Sequence, residues 1–346
     1  MMHAITINEP GLQSTIQDLG RWGYQHKGYT VSGAMDHFAL KVANILVGNA
    51  PGQACIEMTF KGVEVVFPCR TVIAITGADM KPSLNGRPID MWTSCLVNPG
   101  DTLRLGFAQL GMRAYLSVKG GFCQEDFLQS KSTSMQEGSG SNKGQALYKG
   151  SFLPIVFNKI PCSYTSRRMK NEFIPTYYKK RNKEIRVIEG PFEECFTNKS
   201  IQTFYGSEYT VSNEINRVGY RLKGSSLEFK GKVGRLISVS MSTGSIQVPG
   251  EGLPIILCVE RRTHGGYPVI ATIISVDMSK IAQCSPGDKV SFTKVTLDEA
   301  HKFLKEREDI LNSASSYEPI GPEEKLMSLP DMVDNQYLQM YKEFFE

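Results

Sequence analysis

Glycine and proline cut this chain into short pieces, and that limits what it can fold into more than any other property of the sequence. Thirty-two Gly and seventeen Pro punctuate 346 residues, and the apolar residues gather in short runs between them. Thr71 to Thr76 stops at Gly77, Leu253 to Val259 follows Gly252, and Val269 to Val276 follows Pro268. Such runs, rich in Val and Ile and bounded by turn residues, read as strands. None approaches the roughly 18 apolar residues of a membrane-spanning helix. The expected class is mainly β, and a 41% hydrophobic fraction is enough for two units to bury a core each.

Ile5-Thr6-Ile7 alternates as an opening strand, and Asn8-Glu9-Pro10-Gly11 turns the chain. From Asp36 the period changes to a helical one, with Phe38, Val42, Ile45 and Leu46 on one face, Asp36 as N-cap and Gly48-Asn49 as the stop. Strand-like runs resume at Cys55, and Asn85-Gly86 marks a hairpin. Those runs, through Val118, suggest a closed or nearly closed antiparallel sheet. Pro99-Gly100-Asp101 and Pro286-Gly287-Asp288 each feed a strand, and Thr296-Leu297-Asp298-Glu299 is a capping box. The expected organisation is a first β-barrel domain over 1–166, a basic linker over 167–184, a second β-barrel domain ending in a helix over 185–312, and a linker and tail over 313–346. In that tail Val333, Tyr337, Met340, Tyr341 and Phe344 make an amphipathic helix that needs a docking surface.

Charge and cysteine usage exclude several classes. The net charge of +4 argues for neither nucleic acid nor an anionic membrane surface. Residues 159 to 186 carry nine Lys/Arg against two Glu, an excess of +7, which reads as a solvated linker. The Ser-, Gly- and Lys-rich stretch 130–144 reads as a mobile loop; its Gly138-Ser139-Gly140 lacks the GxxxxGK[ST] of a phosphate cradle. Eight cysteines without a CxxC pair read as reduced thiols, with no metal site expected. The N-terminus lacks a secretory leader pattern, so a cytoplasmic protein is expected.

The candidate site lies where two loops flank one apolar run: Gly244-Ser245-Ile246-Gln247-Val248-Pro249 before it, and Arg261-Arg262-Thr263-His264-Gly265-Gly266-Tyr267-Pro268 after it. The second loop gathers guanidinium, hydroxyl, imidazole and phenol groups around paired glycines, which let backbone N–H groups approach a ligand. Gln247, Arg262 and Tyr267 are the catalytic candidates. Arg217, Tyr220, Arg261, Thr263, Gly265 and Gly266 are the substrate-binding candidates. A tight turn carrying a solvated Arg pair, or a structural hydrogen bond at any one of these residues, reads the same pattern equally well.

Ser14-Thr15-Ile16-Gln17-Asp18, Ser32-Gly33-Ala34-Met35-Asp36, Met112-Arg113-Ala114-Tyr115-Leu116-Ser117-Val118, Asn216-Arg217-Val218-Gly219-Tyr220-Arg221-Leu222, Gly244 to Pro249 and Thr263 to Pro268 together resemble the carboxyltransferase C/D family. That family includes the C subunit of bacterial 5-oxoprolinase, also called allophanate hydrolase subunit 2, and part of the carboxyltransferase region of urea carboxylase. The resemblance runs from about Ile5 to Arg307. It departs at Gln129-Ser130-Lys131, where relatives usually read Gly-Ser-Arg, at His264, where a second Thr is usual, and after residue 312.

The resemblance implies two cyclophilin-like β-barrels, pairing with the B subunit of 5-oxoprolinase, which is of kinase-inhibitor type, and with its A subunit. It also implies ATP-dependent opening of 5-oxoproline to glutamate, with Mg2+ accompanying the ATP. Such a reaction needs an amide to orient the lactam, cations for carboxylate and phosphate, and a proton donor for the ring nitrogen. An alternative implication is biotin-dependent carboxyl transfer to urea or another small amide. The chain carries no Met-Lys-Met biotinylation motif, so biotin would arrive on a separate carrier. A third is a regulator that antagonises a kinase inhibitor.

Overall fold

The computed structural model describes residues 3–160, 164–231 and 237–320. It is mainly β, as the punctuated sequence implies. In the first half, one six-stranded sheet runs Phe152–Ile155, His3–Glu9, Glu64–Val66, Thr102–Arg104, Ser83–Leu84, Arg87–Pro88 in spatial order. A seven-stranded sheet runs Gln13–Gln17, Cys55–Thr59, Leu110–Val118, Thr71–Asp79, Thr93–Val97, Ser166–Met169, Tyr317–Ile320.

This half is two facing sheets, where the sequence suggested a closed or nearly closed one. The reason lies at two adjoining corners. Gly11 (φ 73°) and Phe60 (φ 64°) both take left-handed backbone, and each carries a strand out of one sheet and into the other. A Cβ on Gly11 would lie 2.2 Å from the Lys61 carbonyl oxygen, so only glycine lets the corners stack.

Period-two alternation sorts the side chains of Thr71–Asp79. Ile73 and Ile75 join Ile5, Ile7, Val65 and Leu116 between the sheets, whereas Val72 and Ala74 face helix α1 (His37–Val47). That helix begins and ends where expected: the Asp36 side chain accepts from the Ala39 N–H at 3.1 Å, and Gly48 closes it at φ 77°.

The second half closes into a seven-stranded barrel in the order Asn182–Glu189, Val269–Ile273, Ser245–Gln247, Ile255–Leu257, Gly219–Lys223, Tyr209–Ile215, Lys289–Lys294. Closure brings the first and last of these strands together in parallel and leaves no open edge. Inward residues such as Val187, Tyr220, Ile246, Ile256 and Phe292 fill it. Helix α2 (Asn198–Gly206) adds Phe204, whose ring stacks on Phe292 at 4.6 Å. Helix α3 is Met278–Ala282, and α4 (Leu297–Asn312) starts at the expected capping box of Thr296 and Glu299. The two Pro-Gly-Asp turns are built alike. Asp101 accepts from the Asn98 N–H at 2.7 Å and Asp288 from the Ser285 N–H at 3.1 Å.

Two further readings of the sequence differ from the structure. Ser166–Met169 and Tyr317–Ile320, both within or beside stretches expected to be linkers, pair with each other as antiparallel strands. Met169 is buried in the α1 cluster, and Arg168 bonds Glu318 at 2.6 Å. The stretch 130–144 is packed: Ser130, Ser132, Thr133, Ser134 and Ser141 are all buried. Small hydroxyl residues fit there because Asp18 accepts from the Ser130 and Ser132 hydroxyls and from the Lys131 N–H, and Gln17 donates to the Thr133 carbonyl. Composition alone does not distinguish such a serine-tied loop from a mobile one. The amphipathic tail 331–346 lies outside the described residues.

Candidate functional site

The loop after Ile255–Leu257 is fixed from behind by Glu260, Arg261 and Thr263. Glu260 accepts from Arg217 Nε at 2.7 Å. Arg261 donates through Nε to the Met241 carbonyl at 3.0 Å and through Nη1 to Thr243 Oγ1 at 2.7 Å, and the Met241 N–H reaches the Thr263 carbonyl at 2.9 Å. Glu260, Arg261 and Thr263 are therefore buried, while Arg262 and His264 between and beyond them are exposed. Burial pushes the Arg261 guanidinium down to about 10, against a smaller opposing effect of Cys258, so it remains a cation at neutral pH.

Gln247 sits under the paired glycines. Its Nε2 approaches Met241 Sδ at 3.3 Å and the Tyr267 carbonyl at 3.5 Å. A Cβ at Gly265 would lie 2.5 Å from that same Nε2, so a larger residue there would push the Gln247 side chain aside. The Tyr267 side chain is 42% exposed. Gln247 thus shapes the loop from below, and Gly265, Gly266 and Tyr267 run along the outside of it.

Arg262, Thr263 and His264 form one wall of a cleft of about 360 Å3; Gly28, Thr30, Gln136 and Glu137 of the first half form the other. Thr263 Oγ1 and His264 Nδ1 lie 2.9 Å apart. Glu137 accepts the Thr30 N–H at 2.7 Å. The Thr30 hydroxyl is buried and has no hydrogen-bond partner among the described residues. Gly28, Thr30, Gln136 and Glu137 were not among the residues predicted from sequence. Glu137 is the sole acidic residue between 130 and 144, the one local signal that could have singled it out.

Arg217 and Tyr220 stand elsewhere, and the structure corrects their expected role as ligand-facing groups. Arg217 is buried, paired through Nη1 with Glu57 and through Nε with Glu260, and donates through Nη2 to the Gly33 carbonyl at 2.6 Å. Burial opposes its charge, but Glu57 and Glu260 outweigh that and raise it above the ordinary arginine value. Tyr220 is fully buried with its hydroxyl 2.6 Å from Arg113 Nη1. Neither lines the cleft. Their hydrogen-bonding capacity is committed to joining the two halves, so the cation and phenol suggested by residue type are structural.

Cysteine takes no part in the cleft. Burial pushes the Cys258 and Cys284 thiols up to about 12, so both are protonated apolar filler at neutral pH. Among the described residues no group of three or more His, Cys, Asp or Glu gathers to hold a metal ion, and no helix is long and apolar enough to cross a membrane.

Residues 27–294 match the family model of the carboxyltransferase domain, subdomain A and B; the A and B designation replaces the C/D one suggested by the motifs. The chain is 33% identical over 308 residues to a Haemophilus influenzae protein named as the C subunit of 5-oxoprolinase, covering 89% of this chain and 96% of that protein. It is 34% identical over 307 residues to the Escherichia coli protein of the same name, covering 88% and 94%. A Saccharomyces cerevisiae urea amidolyase is 32% identical over 320 residues, 89% of this chain but 17% of that much longer protein. The crystal structure of the Kluyveromyces lactis urea amidolyase superimposes with a TM-score of 0.85 at 26% identity over 96% of this chain and 22% of the other. By sequence and by fold, the chain belongs to the carboxyltransferase domain family, subdomain A and B.

Proposed function

We propose that the chain is the C subunit of an ATP-dependent 5-oxoprolinase, one part of an enzyme that opens a lactam together with its A and B partners. The observation that carries this reading is length. Two relatives named as the C subunit of 5-oxoprolinase match almost end to end, whereas the Saccharomyces cerevisiae urea amidolyase is matched over 17% of its length. The cleft suits a small amide: it lies at the low end of ligand pockets, which run from roughly 300 Å3 upward, and sets a carboxylate against an exposed guanidinium and an imidazole. In this reading Arg262 draws in a substrate carboxylate, and the Thr263 and His264 pair supplies a polar edge that can exchange a proton. Gln247 and Gly265 hold the loop at the height that presents those groups.

ATP itself does not fit these walls. A triphosphate needs several convergent cations or a cradle of backbone N–H groups, and here Glu137 faces into the same cleft as Arg262. No step is therefore assigned to ATP or Mg2+ on this chain; in the proposed complex the nucleotide belongs to the partner subunits. Carboxyl transfer from biotin on a separate carrier is a second reading, favoured by the likeness to the Kluyveromyces lactis urea carboxylase at a TM-score of 0.85.

The test is reconstitution. The purified chain alone should release no glutamate from 5-oxoproline and hydrolyse no ATP, and addition of the A and B partners should restore both. Full activity of the single polypeptide would overturn the proposal. So would a reconstituted complex that carboxylates urea from carboxybiotin and leaves 5-oxoproline intact.

A further inference from the structure

Arg21 is the most unusual charged residue in the described chain. Its side chain is 0% exposed, yet among the described residues its Nε and Nη1 have no hydrogen-bond acceptor. Only Nη2 is satisfied, by the Ser132 carbonyl, and the guanidinium lies 5.5 Å from the centre of the Phe127 ring. Burial lowers its affinity for the proton; Glu137 is the foremost of the charges that oppose this. A buried cation with two idle donors is costly, and its ion-pair partner is Glu137, with Nη1 3.9 Å from Oε2.

Glu137 therefore has a cation behind it and the cleft in front. Its Oε1 takes the Thr30 N–H at 2.7 Å, and its Oε2 is approached by the Ser139 hydroxyl at 3.4 Å. An ionised carboxylate has about four lone-pair directions, so capacity remains for a donor that enters from the cleft. Thr30, joined to it by that N–H, carries an idle buried hydroxyl that can donate to a carbonyl. An acceptor and a hydroxyl donor on two hydrogen-bonded residues of the same wall suit an amide whose N–H and C=O lie on the same edge. Lactams and ureas present that edge; open-chain secondary amides, being trans, do not.

We infer that Glu137 and Thr30 read the cis edge of an amide, Glu137 accepting its N–H and Thr30 donating to its carbonyl, with Arg21 as the buried residue that positions Glu137. This rests on the cleft being the ligand site of the proposed function, and it adds the selection rule. Arg262 on the facing wall is then left for the carboxylate of a ligand that has one.

The test uses the full chain assembled with its partner subunits. Calorimetric titrations are made with 5-oxoproline, with its lactone isostere carrying ring oxygen in place of N–H, with urea, with tetramethylurea, and with open-chain N-acetylalanine. Wild type should bind 5-oxoproline about 10- to 100-fold tighter than the lactone, the worth of one hydrogen bond to a charged group, and should bind N-acetylalanine no better than the lactone. Glu137→Ala should bring 5-oxoproline and the lactone within about threefold of each other. Arg21→Met should do the same while Arg21→Lys restores part of the preference. Thr30→Val should weaken both ligands alike, because both keep the carbonyl. Equal weakening of the two ligands by Glu137→Ala, no preference in wild type, or no binding of any of these probes would overturn the inference. Binding of urea with Glu137-dependent rejection of tetramethylurea, and none of 5-oxoproline, would sink the lactam-opening function and leave the inference standing.

Discussion

Glu57 is where single residues matter most, because it sits between two arginines. Arg217 Nη1 pairs with it, Arg113 Nε approaches at 3.8 Å, and its other oxygen takes the Tyr115 hydroxyl and the Met35 N–H at 2.7 and 2.8 Å. Removing one member of a buried pair leaves an uncompensated charge, at about 3–5 kcal/mol. Glu57→Gln and Arg217→Met should each lower unfolding free energy by about that much in urea titrations, and the double variant should lose less than the sum. Arg262→Ala and Tyr267→Phe should behave oppositely, since both side chains are exposed. Turnover of the reconstituted complex should drop about tenfold or more while Tm moves little; a loss of rate that tracked a loss of Tm would make both residues structural.

Asp277 adds a pH dependence. Burial would raise its carboxyl, but the donors of Arg186 and the charge of Lys280 hold it below its ordinary value. A carboxyl depressed in the folded state stabilises above its unfolded pKa of about 4, and the contribution is lost as pH falls through the folded value. Asp277→Asn should therefore be less stable than wild type at pH 7 and show a shallower decline of stability below about pH 4, measured by urea unfolding across pH.

Among the elements, the loop 130–144 is the one whose character depends on a single anchor. Asp18 holds the Ser130 and Ser132 hydroxyls and the Lys131 N–H at once. Asp18→Ala should release amide exchange protection across 130–137 and carry Glu137 out of register with Thr30, whereas protection in α1 stays as in wild type. Retained protection in that loop would show that its packing does not need Asp18. Helix α4 supplies a milder case, since Thr296 accepts the Glu299 N–H at 3.2 Å on an exposed surface. Thr296→Ala should cost about 1 kcal/mol, the usual worth of such a cap, read from chemical unfolding.

At the scale of the whole molecule, Gln283 joins the two halves. Its Oε1 accepts the Met112 and Arg113 N–H groups at 2.9 and 3.0 Å, and its Nε2 donates to Asp36 and to the Arg113 carbonyl. All four contacts cross from the second half to the first. Met35, Phe60 and Met112 of the first half also lie in the apolar cluster of the barrel. Gln283→Leu would strand those groups without partners, and it should separate one unfolding transition into two; a single sharp transition at unchanged midpoint would show that the other contacts across the seam, the Arg217–Glu57 pair and the apolar cluster among them, join the halves without Gln283.

Local order alone was enough to determine the strands between glycines, the Asp36 and Thr296 caps, the mainly β class and the loop bearing Arg262, because propensity, capping and turn chemistry act over a few residues. Four things were decided only in three dimensions. The first half became two sheets because Gly11 and Phe60 stack as corners, and Ser166–Met169 became a strand because Tyr317–Ile320 returns to pair with it. Arg217 became a structural cation because Glu57, 160 residues away, meets it. Glu137 became a cleft carboxylate because Arg21 and Thr30 lie behind and beside it. Each of these depends on contacts between residues far apart in the chain, and the role of a charged side chain is set by which opposite charge and how much water it meets after folding.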